Sequence, residues 1–188
     1  MKDKSFQYSR GTRIRIFCIE RREGDRDGFS VIDSTGKYNM ATDCRVGNRV
    51  LVDDGKLSLL IEGVDTERGE VTVLVENTHV LKTNKRINLP NAEYSMPFLS
   101  EKDKEDIIFS IKQGFDVIAL SFVNKAEDIL EVRRLVSENC TREKPLIFSK
   151  IETTQSLKNI DEIIRESDGI MIARGDLALE TPYYDVPY

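Results

Sequence analysis

The feature that most constrains the fold is a repeated alternation of helical and strand patterns that begins at Ser100. Amphipathic helical patterns alternate there with three short apolar runs, at Asp116–Phe122, Leu146–Phe148 and Ile170–Ala173. Runs of this length and composition are typical of buried parallel strands. Because a helix lies between successive strands, the pattern implies right-handed parallel crossovers and predicts an α/β sheet.

Local signals place the ends of the first helices in this region. The stretch Ser100–Asp103 resembles a capping box, and Gly114 is a suitable residue for the end of the helix that follows. Asn124 together with Glu127 predicts the start of the second helix.

Charged side chains follow the second and third apolar runs. Lys150 and Glu152 lie two residues apart, so on a strand they point to the same side, about 6.5 Å apart at roughly 3.3 Å per residue. If the next strand is a neighbour, Asp176 comes off its carboxyl end close to Glu152. Two such carboxylates repel each other unless a cation lies between them, and an oxygen-seeking divalent ion such as Mg²⁺ fits that role. Lys150 would then face the substrate of the ion.

The backbone around Gly175 adds an anion-binding feature. Glycine permits close approach of a ligand, and an adjoining helix start would present free amide groups to an anion. Taken singly, a lysine or glutamate that ends a strand is more often a solvated strand end. The combination of Lys150, Glu152, Gly175 and Asp176 predicts an anion site with a metal ion.

The first half of the chain has strand patterns instead. Arg13–Glu20 alternates polar and apolar residues, as a strand with one wet face does. The Asp-Gly pair in Asp53–Gly55 predicts a hairpin between flanking strands at Arg49–Val52 and Lys56–Ile61. Frequent turns between short strands predict a small barrel or sandwich, and the pattern changes near Ile87. We therefore predict an all-β domain at residues 1–87 and an α/β domain at residues 88–188.

Composition excludes several classes of function. The net charge is −5 with scattered basic residues, which argues against nucleic acid or an anionic membrane as a partner. No apolar run approaches the roughly 18 residues of a membrane span, so we expect a soluble intracellular protein. Cys18, Cys44 and Cys140 lack the spacing of a zinc or redox motif and are interpreted as reduced thiols. His79 is the only histidine and no nucleophile elbow is visible, which disfavours a Ser-His-Asp mechanism.

Polar residues at the ends of all three predicted strands fit the functional face of a TIM barrel. A complete barrel needs eight strands and about 250 residues. The second half is therefore either an open sheet or a piece of a barrel.

Seven motifs, in order, resemble those of pyruvate kinase. They are Val52–Ser58, Val75–Asn77, Ile87–Pro90, Ser100–Asp103, Ser121–Ala126, Ser149–Glu152 and Ile172–Leu177. The resemblance implies a small all-β barrel lid domain that precedes part of a catalytic TIM (β/α)8 barrel. It also implies transfer of a phosphoryl group from phosphoenolpyruvate to ADP, giving pyruvate and ATP in glycolysis.

The resemblance also implies roles for individual residues. Lys150 matches the catalytic lysine of the family, and Glu152 and Asp176 match its ligands for Mg²⁺ or Mn²⁺. Gly175 and Asp176 match the backbone that receives the anionic end of the substrate, and Lys85 matches a nucleotide-binding lysine of the lid.

The family further implies K⁺, a homotetramer and a cytoplasmic location, with an organellar form left open. The motifs that carry the K⁺ ligands and the later substrate-binding threonine do not occur in this sequence. We therefore interpret the chain as a piece of a pyruvate kinase that is inactive alone.

Some positions depart from the family pattern. Arg86 and Ala178 stand where the family usually has glycine, and Thr78 and His79 stand where two glycines commonly follow Asn77. These departures leave open a pseudoenzyme or ligand-binding homologue without phosphotransfer. Another metal-dependent barrel acting on phosphoenolpyruvate or a keto acid is disfavoured by the inserted lid motifs.

Overall fold

The chain forms two compact units, which divide between Met96 and Pro97. The computed structural model describes residues 5–141 and 143–181. We call the part up to Met96 the β unit and the part from Pro97 the α/β unit. The division falls after the predicted boundary at 87/88, because Ile87–Asn88 forms a strand that pairs with Arg49–Val52 and Leu89 joins the core of the β unit.

The β unit contains two sheets that share one apolar core. Its strands are β1 Ser5–Tyr8, β2 Arg13–Phe17, β3 Gly28–Ser30, β4 Arg49–Val52, β5 Leu57–Asp65, β6 Glu70–Val75, β7 His79–Lys82 and β8 Ile87–Asn88. The larger sheet has the order β3-β2-β6-β5-β4-β8, and β1 pairs with β7 in an antiparallel ribbon. Among the described residues no ladder joins β3 to β8, so hydrogen bonds do not close this sheet, and the assignment to a barrel or a sandwich remains a prediction.

Alternation along the strands determines which face of this sheet is buried. On β2, Ile14 and Ile16 are buried whereas Arg13 and Arg15 are exposed, as the sequence pattern predicts. The strand ends at Phe17, earlier than predicted. The same alternation recurs on β5 and β6, whose inward residues form much of the core.

The predicted hairpin at Asp53–Gly55 is confirmed, since β4 and β5 pair antiparallel on either side of it. Asp53, Asp54 and Gly55 all have positive φ, at 55°, 56° and 76°. Aspartate and glycine are among the residues that tolerate this left-handed conformation best, which explains why the turn forms here.

The α/β unit confirms the predicted alternation of helices and parallel strands. Its elements are α1 Glu101–Gln113, β9 Val117–Leu120, α2 Ala126–Asn139, β10 Leu146–Ile151, α3 Thr154–Lys158, α4 Ile160–Glu166, β11 Gly169–Ile172 and α5 Arg174–Glu180. The strands are parallel and have the order β11-β10-β9, with β10 in the middle. In the described ranges, no helix is both long enough and apolar enough to span a bilayer.

The ends of α1 follow the sequence signals. Ser100 Oγ accepts a hydrogen bond from the backbone N–H of Asp103, whose carboxylate accepts one from the N–H of Ser100. This reciprocal pair is the predicted capping box. Gly114 ends the helix with φ of 79°, as predicted.

The start of α2 differs slightly from the prediction. Lys125, and not Asn124, is the residue that precedes the first helical turn. Asp128, and not Glu127, is the acidic residue whose carboxylate caps the start of the helix. One carboxylate oxygen of Asp128 accepts hydrogen bonds from the backbone N–H groups of Asn124 and Lys125.

The two faces of the parallel sheet differ in exposure. Ile147, Ser149 and Ile151 of β10 point to the side covered by helices and are buried. On the opposite face, Val117, Leu146 and Met171 are 42 to 49% exposed. The assignment of this sheet to a TIM barrel remains a prediction, and an uncovered apolar face is what a barrel segment would have.

Candidate active site at the carboxyl edge of the parallel sheet

The predicted site residues of the α/β unit follow the carboxyl ends of two neighbouring strands. β10 ends at Ile151, directly before Glu152, and β11 pairs with it in parallel so that Lys150 lies opposite Met171. The backbone N–H of Ala173 donates a 3.1 Å hydrogen bond to the carbonyl of Ile151, which extends the pairing to the start of α5.

Lys150 and Glu152 form an ion pair on one side of β10. The Lys150 ammonium lies 2.5 Å from Glu152 Oε1 and donates a 3.0 Å hydrogen bond to Ser121 Oγ. Ser121 directly follows β9, the other neighbour of β10. The prediction that Lys150 and Glu152 share a face is confirmed, whereas the sequence does not predict the direct contact of Lys150 with Glu152 and Ser121.

Glu152 is the most buried charged residue of the site, with its side chain 1% exposed. Its Oε2 accepts a 2.7 Å hydrogen bond from the backbone N–H of Phe122. Its Oε1 contacts Lys150 but is buried without an aligned hydrogen-bond donor among the described residues. This buried oxygen is therefore already paired with one cation, and a metal ion would have to share it with Lys150 or displace the ammonium.

Phe122 has an unusual backbone conformation at this edge. Its φ is 56°, and a positive φ in a bulky residue is an outlier that costs about 1–3 kcal/mol. The strained residue is the one whose amide binds the Glu152 carboxylate. Strain of this kind clusters at functional sites, although nothing in the sequence around Phe122 indicates it.

A second layer of hydrogen bonds joins the loops that carry these residues. Thr153 Oγ1 donates to the side-chain oxygen of Asn124, and Asn159 Nδ2 donates to the Asn124 carbonyl at 2.8 Å. Thr153 also caps α3 by accepting from the backbone N–H of Ser156. The segments after β9 and β10 are thus fixed to each other, which holds Ser121 and Glu152 in place.

Gly175 and Asp176 lie in the first turn of α5, immediately after β11. A Cβ atom added at Gly175 would meet no atom within 4 Å, so this backbone borders open space. Asp176 is partly buried. The structure therefore puts both predicted carboxylates after adjacent strands, on elements joined by backbone hydrogen bonds.

The described residues contain no group of three or more His, Cys, Asp or Glu side chains arranged to hold a metal ion. An ion at this edge would depend on one or two carboxylates, with further oxygens from substrate and water. Mg²⁺ is usually bound in this way. Glu152 and Asp176 supply the right type of ligand for it.

Lys85 belongs to the β unit, where its ammonium lies 2.8 Å from Asp53 Oδ1. His79 Nε2 lies 3.0 Å from the other oxygen of the same carboxylate. The hydrogen bond from Lys85, followed by that from His79, lowers the pKa of Asp53 below its ordinary value, against an opposing effect of desolvation. The sequence does not predict the pairing of Lys85, since it indicates a turn at Asp53 and a family motif over Val52–Ser58 but no ion pair.

His79 and the cysteines do not form a nucleophilic site. In the described part of the chain, no hydroxyl or thiol hydrogen-bonds to His79. Cys18, Cys44 and Cys140 are free thiols, as predicted. Burial raises the pKa of Cys18 to about 11 and that of Cys44 to about 12, so both stay protonated at neutral pH.

The fold and the site define a class: a mixed α/β protein with charged groups at the carboxyl edge of its parallel strands, as in α/β enzymes. A family profile described as "Pyruvate kinase, barrel domain" matches residues 2–188. The chain belongs to the pyruvate kinase family.

Relatives and a solved structure agree with this assignment. The chain is 46% identical over 188 residues to the pyruvate kinase of Mycoplasma genitalium, and 53% identical over 161 residues, 85% of the chain, to that of Mycoplasma pneumoniae. A crystal structure of a pyruvate kinase from Cryptosporidium parvum superposes with a TM-score of 0.88 at 30% identity and covers 99% of the chain. The chain spans only 37%, 31% and 38% of these three proteins, about a third of each.

Proposed function

We propose that this chain is part of a pyruvate kinase that transfers a phosphoryl group from phosphoenolpyruvate to ADP, giving pyruvate and ATP. Membership of the family supports the reaction, and the Lys150–Glu152 pair at the edge of the parallel sheet is the observation that carries it. The whole reaction is assigned to the complete protein, because relatives that bear the name are about three times as long.

Lys150 supplies positive charge to the transferring phosphoryl group and the enolate. Catalysis of phosphoryl transfer depends mainly on positioning and on neutralisation of charge. The hydrogen bond to Ser121 and the ion pair with Glu152 hold the ammonium group before substrate arrives. Such preorganisation is effective because no reorganisation is needed during the reaction.

Glu152 and Asp176 would hold Mg²⁺ or Mn²⁺. The buried Oε1 of Glu152 already faces the positive charge of Lys150, and a metal ion would share this oxygen with the ammonium or replace it there. When bound, the ion neutralises charge on the transferring phosphoryl group. Glu152 contributes a rigid carboxylate, since the Phe122 amide fixes its other oxygen.

The remaining contacts are assigned to substrate and nucleotide. The backbone at Gly175 and Asp176 would receive the anionic end of phosphoenolpyruvate, and the open space beside Gly175 agrees with this role. Lys85 would bind the nucleotide, for which its ammonium must share or leave the Asp53 carboxylate. A K⁺ site, a homotetramer and a cytoplasmic location are further proposals that follow from the family.

A pseudoenzyme or ligand-binding homologue is the second candidate. It is favoured by the ion pair between Lys85 and Asp53, because this pair engages the ammonium group that would bind the nucleotide. The residues that replace family glycines, Arg86 and Ala178, do not strengthen the case for a pseudoenzyme. Arg86 and Ala178 are both exposed and neither has positive φ, so their side chains impose no backbone strain.

The test is to measure pyruvate formation by the complete protein from phosphoenolpyruvate and ADP with Mg²⁺. We expect turnover, and we expect Lys150→Met to lower kcat by about 10²-fold or more with little change in KM. Lys158→Met, at an exposed position on α3, is the matched control. Binding of phosphoenolpyruvate without turnover would favour the pseudoenzyme, and near-normal kcat in Lys150→Met would remove Lys150 from the mechanism.

A further inference from the structure

The β unit contains a cavity of about 700 Å³, all of whose lining residues belong to that unit. Its wall is mainly apolar and aromatic, and includes Phe6, Tyr8, Phe29, Tyr38 and Leu81. Small-molecule sites typically enclose about 300–1,000 Å³ and have predominantly apolar walls with a few polar groups. The cavity thus has the size and lining of a ligand site.

The hydroxyls of Tyr8 and Tyr38, two of the aromatic residues that line this cavity, already donate hydrogen bonds to other groups of the protein. Tyr8 Oη donates to the Gly28 carbonyl at 2.8 Å, and Tyr38 Oη donates to the Asp43 carboxylate at 2.5 Å. The lining therefore favours an apolar or aromatic ligand body over a sugar or other polyhydroxyl compound.

The polar part of the lining is basic. The lining includes four cationic residues, Arg21, Arg22, Lys82 and Lys85, and two acidic residues, Glu23 and Asp33. Two of the four cations are already paired, Arg22 with Glu20 and Lys85 with Asp53.

Asp33 is also engaged, since its carboxylate accepts hydrogen bonds from the backbone N–H groups of Thr35 and Tyr38. The side chains of Arg21 and Lys82 are exposed and form no ion pair or hydrogen bond in the part of the chain that the structure describes. The lining thus has two cations whose charge is not neutralised by a neighbour.

We propose that this cavity binds a small amphipathic organic anion, with its apolar body against the aromatic wall and its carboxylate beside Arg21 and Lys82. Burial of the apolar body drives binding, and the two unpaired cations select a charged over a neutral head group. A phosphate-rich ligand is disfavoured, because it would leave most of the apolar wall without a partner.

Decanoate is a suitable probe, with decanol as its neutral counterpart. The chain contains no tryptophan, so Phe6→Trp introduces a single tryptophan into the cavity wall, which can be excited selectively over the tyrosines. We expect a brominated decanoate to quench this tryptophan saturably. Phe109→Trp, at an exposed position on α1, is the matched control and should not be quenched saturably.

Charge recognition is tested by calorimetry with the Arg21→Gln, Lys82→Gln double variant. We expect a loss of decanoate affinity of about tenfold or more, with decanol binding unchanged and with Lys37→Gln behaving as the parent. Absence of saturable decanoate binding, equal quenching at positions 6 and 109, or equal affinity for decanoate and decanol would each overturn the proposal. None of these measurements depends on phosphoryl transfer.

Discussion

The backbone N–H of Phe122 donates a 2.7 Å hydrogen bond to Glu152 Oε2, across a separation of 30 residues in the sequence. The donor sits in a strained left-handed conformation with φ of 56°. Because one carboxylate oxygen is fixed in this way, the other is held at the buried edge beside Lys150. The amide thus determines which oxygen of Glu152 can bind a cation.

The first prediction concerns the metal ligands. Glu152→Gln in the complete protein should lower the affinity for Mg²⁺ or Mn²⁺ by about tenfold or more, since even outer-shell partners of a metal typically contribute that much. Asp176→Asn should act in the same direction. Calorimetric titration with each ion measures the effect, with circular dichroism to verify folding.

The matched control for the metal experiment is Glu138→Gln, because Glu138 is exposed on α2. Unchanged metal affinity in both Glu152→Gln and Asp176→Asn would show that these carboxylates are not ligands.

The second prediction concerns Ser121, whose hydroxyl accepts a hydrogen bond from Lys150. Ser121→Ala should lower kcat roughly tenfold with little change in KM, since a hydrogen bond to a charged group contributes about 1.5–3 kcal/mol. Ser121→Thr keeps the hydroxyl and should retain most of the activity. Steady-state kinetics of the complete protein measures both.

Ser110→Ala on α1 serves as a control, because the Ser110 hydroxyl donates to the Asp106 carbonyl within its own helix. If Ser121→Ala instead raises KM without changing kcat, Ser121 contacts substrate and does not position Lys150. The Ser121 prediction depends on the proposed reaction, whereas the metal prediction does not.

The sequence predicts that the site lies at the carboxyl edge of the parallel sheet, but it does not predict which side chains contact each other there. Side chains alternate between the two faces of a strand, so the sequence alone puts Lys150 and Glu152 on one side of β10. Apolar runs that are separated by helical patterns likewise predict a parallel sheet. The Lys150–Ser121 bond joins residues 29 apart, and its partner depends on which strand lies beside β10. Local pattern does not carry that information.

The positive φ of Phe122 and the Lys85–Asp53 ion pair are also not predictable from the sequence, because both depend on tertiary structure. The positive φ of Phe122 is imposed by its surroundings, because phenylalanine has no preference for that conformation. The Lys85–Asp53 pair depends on how the turn after β4 and the segment after β7 approach each other in three dimensions. Both are tertiary effects that override local propensity.

The third prediction concerns Asp168, which ties β10 to the start of β11. Its Oδ2 accepts a 2.8 Å hydrogen bond from the Ile147 N–H, and its Oδ1 accepts one from Arg133 at 3.0 Å. The Ile147 amide, and then Arg133, lower the pKa of Asp168 below its ordinary value, although desolvation opposes them.

The direction of the pH effect follows from that shift. A folded-state pKa below the unfolded value of about 3.9 means that the ionised carboxylate stabilises the fold. This contribution is fully present above the unfolded pKa and is lost as the pH falls through the folded pKa.

Asp168→Asn should therefore lower the free energy of unfolding at pH 7 by about 1.5–3 kcal/mol, the range for a lost hydrogen bond to a charged group. It should also reduce the loss of stability between pH 4 and pH 2. Urea unfolding at several pH values measures both, and Asp161→Asn, at an exposed position on α4, is the control. An equal pH dependence in the parent and Asp168→Asn would contradict this assignment.

The last prediction is that the 188-residue chain, made alone, forms no measurable pyruvate from phosphoenolpyruvate and ADP. In the described residues β9 and β11 are edge strands, and the face that carries Lys150 exposes Val117, Leu146 and Met171. Unpaired edges and an uncovered apolar face leave the site loosely held, and a misplacement of about 1 Å can lower a rate by 10²-fold.

The control is the complete protein under identical conditions, with circular dichroism to verify that the 188-residue chain is folded. Limited proteolysis should leave the β unit more resistant than the α/β unit, because one face of the parallel sheet in the α/β unit is exposed and apolar. Robust turnover by the isolated chain would show that its three parallel strands already hold a competent site. The interpretation of this chain as an inactive piece of a larger barrel would then be wrong, since the Lys150 face would need no further strands to position substrate.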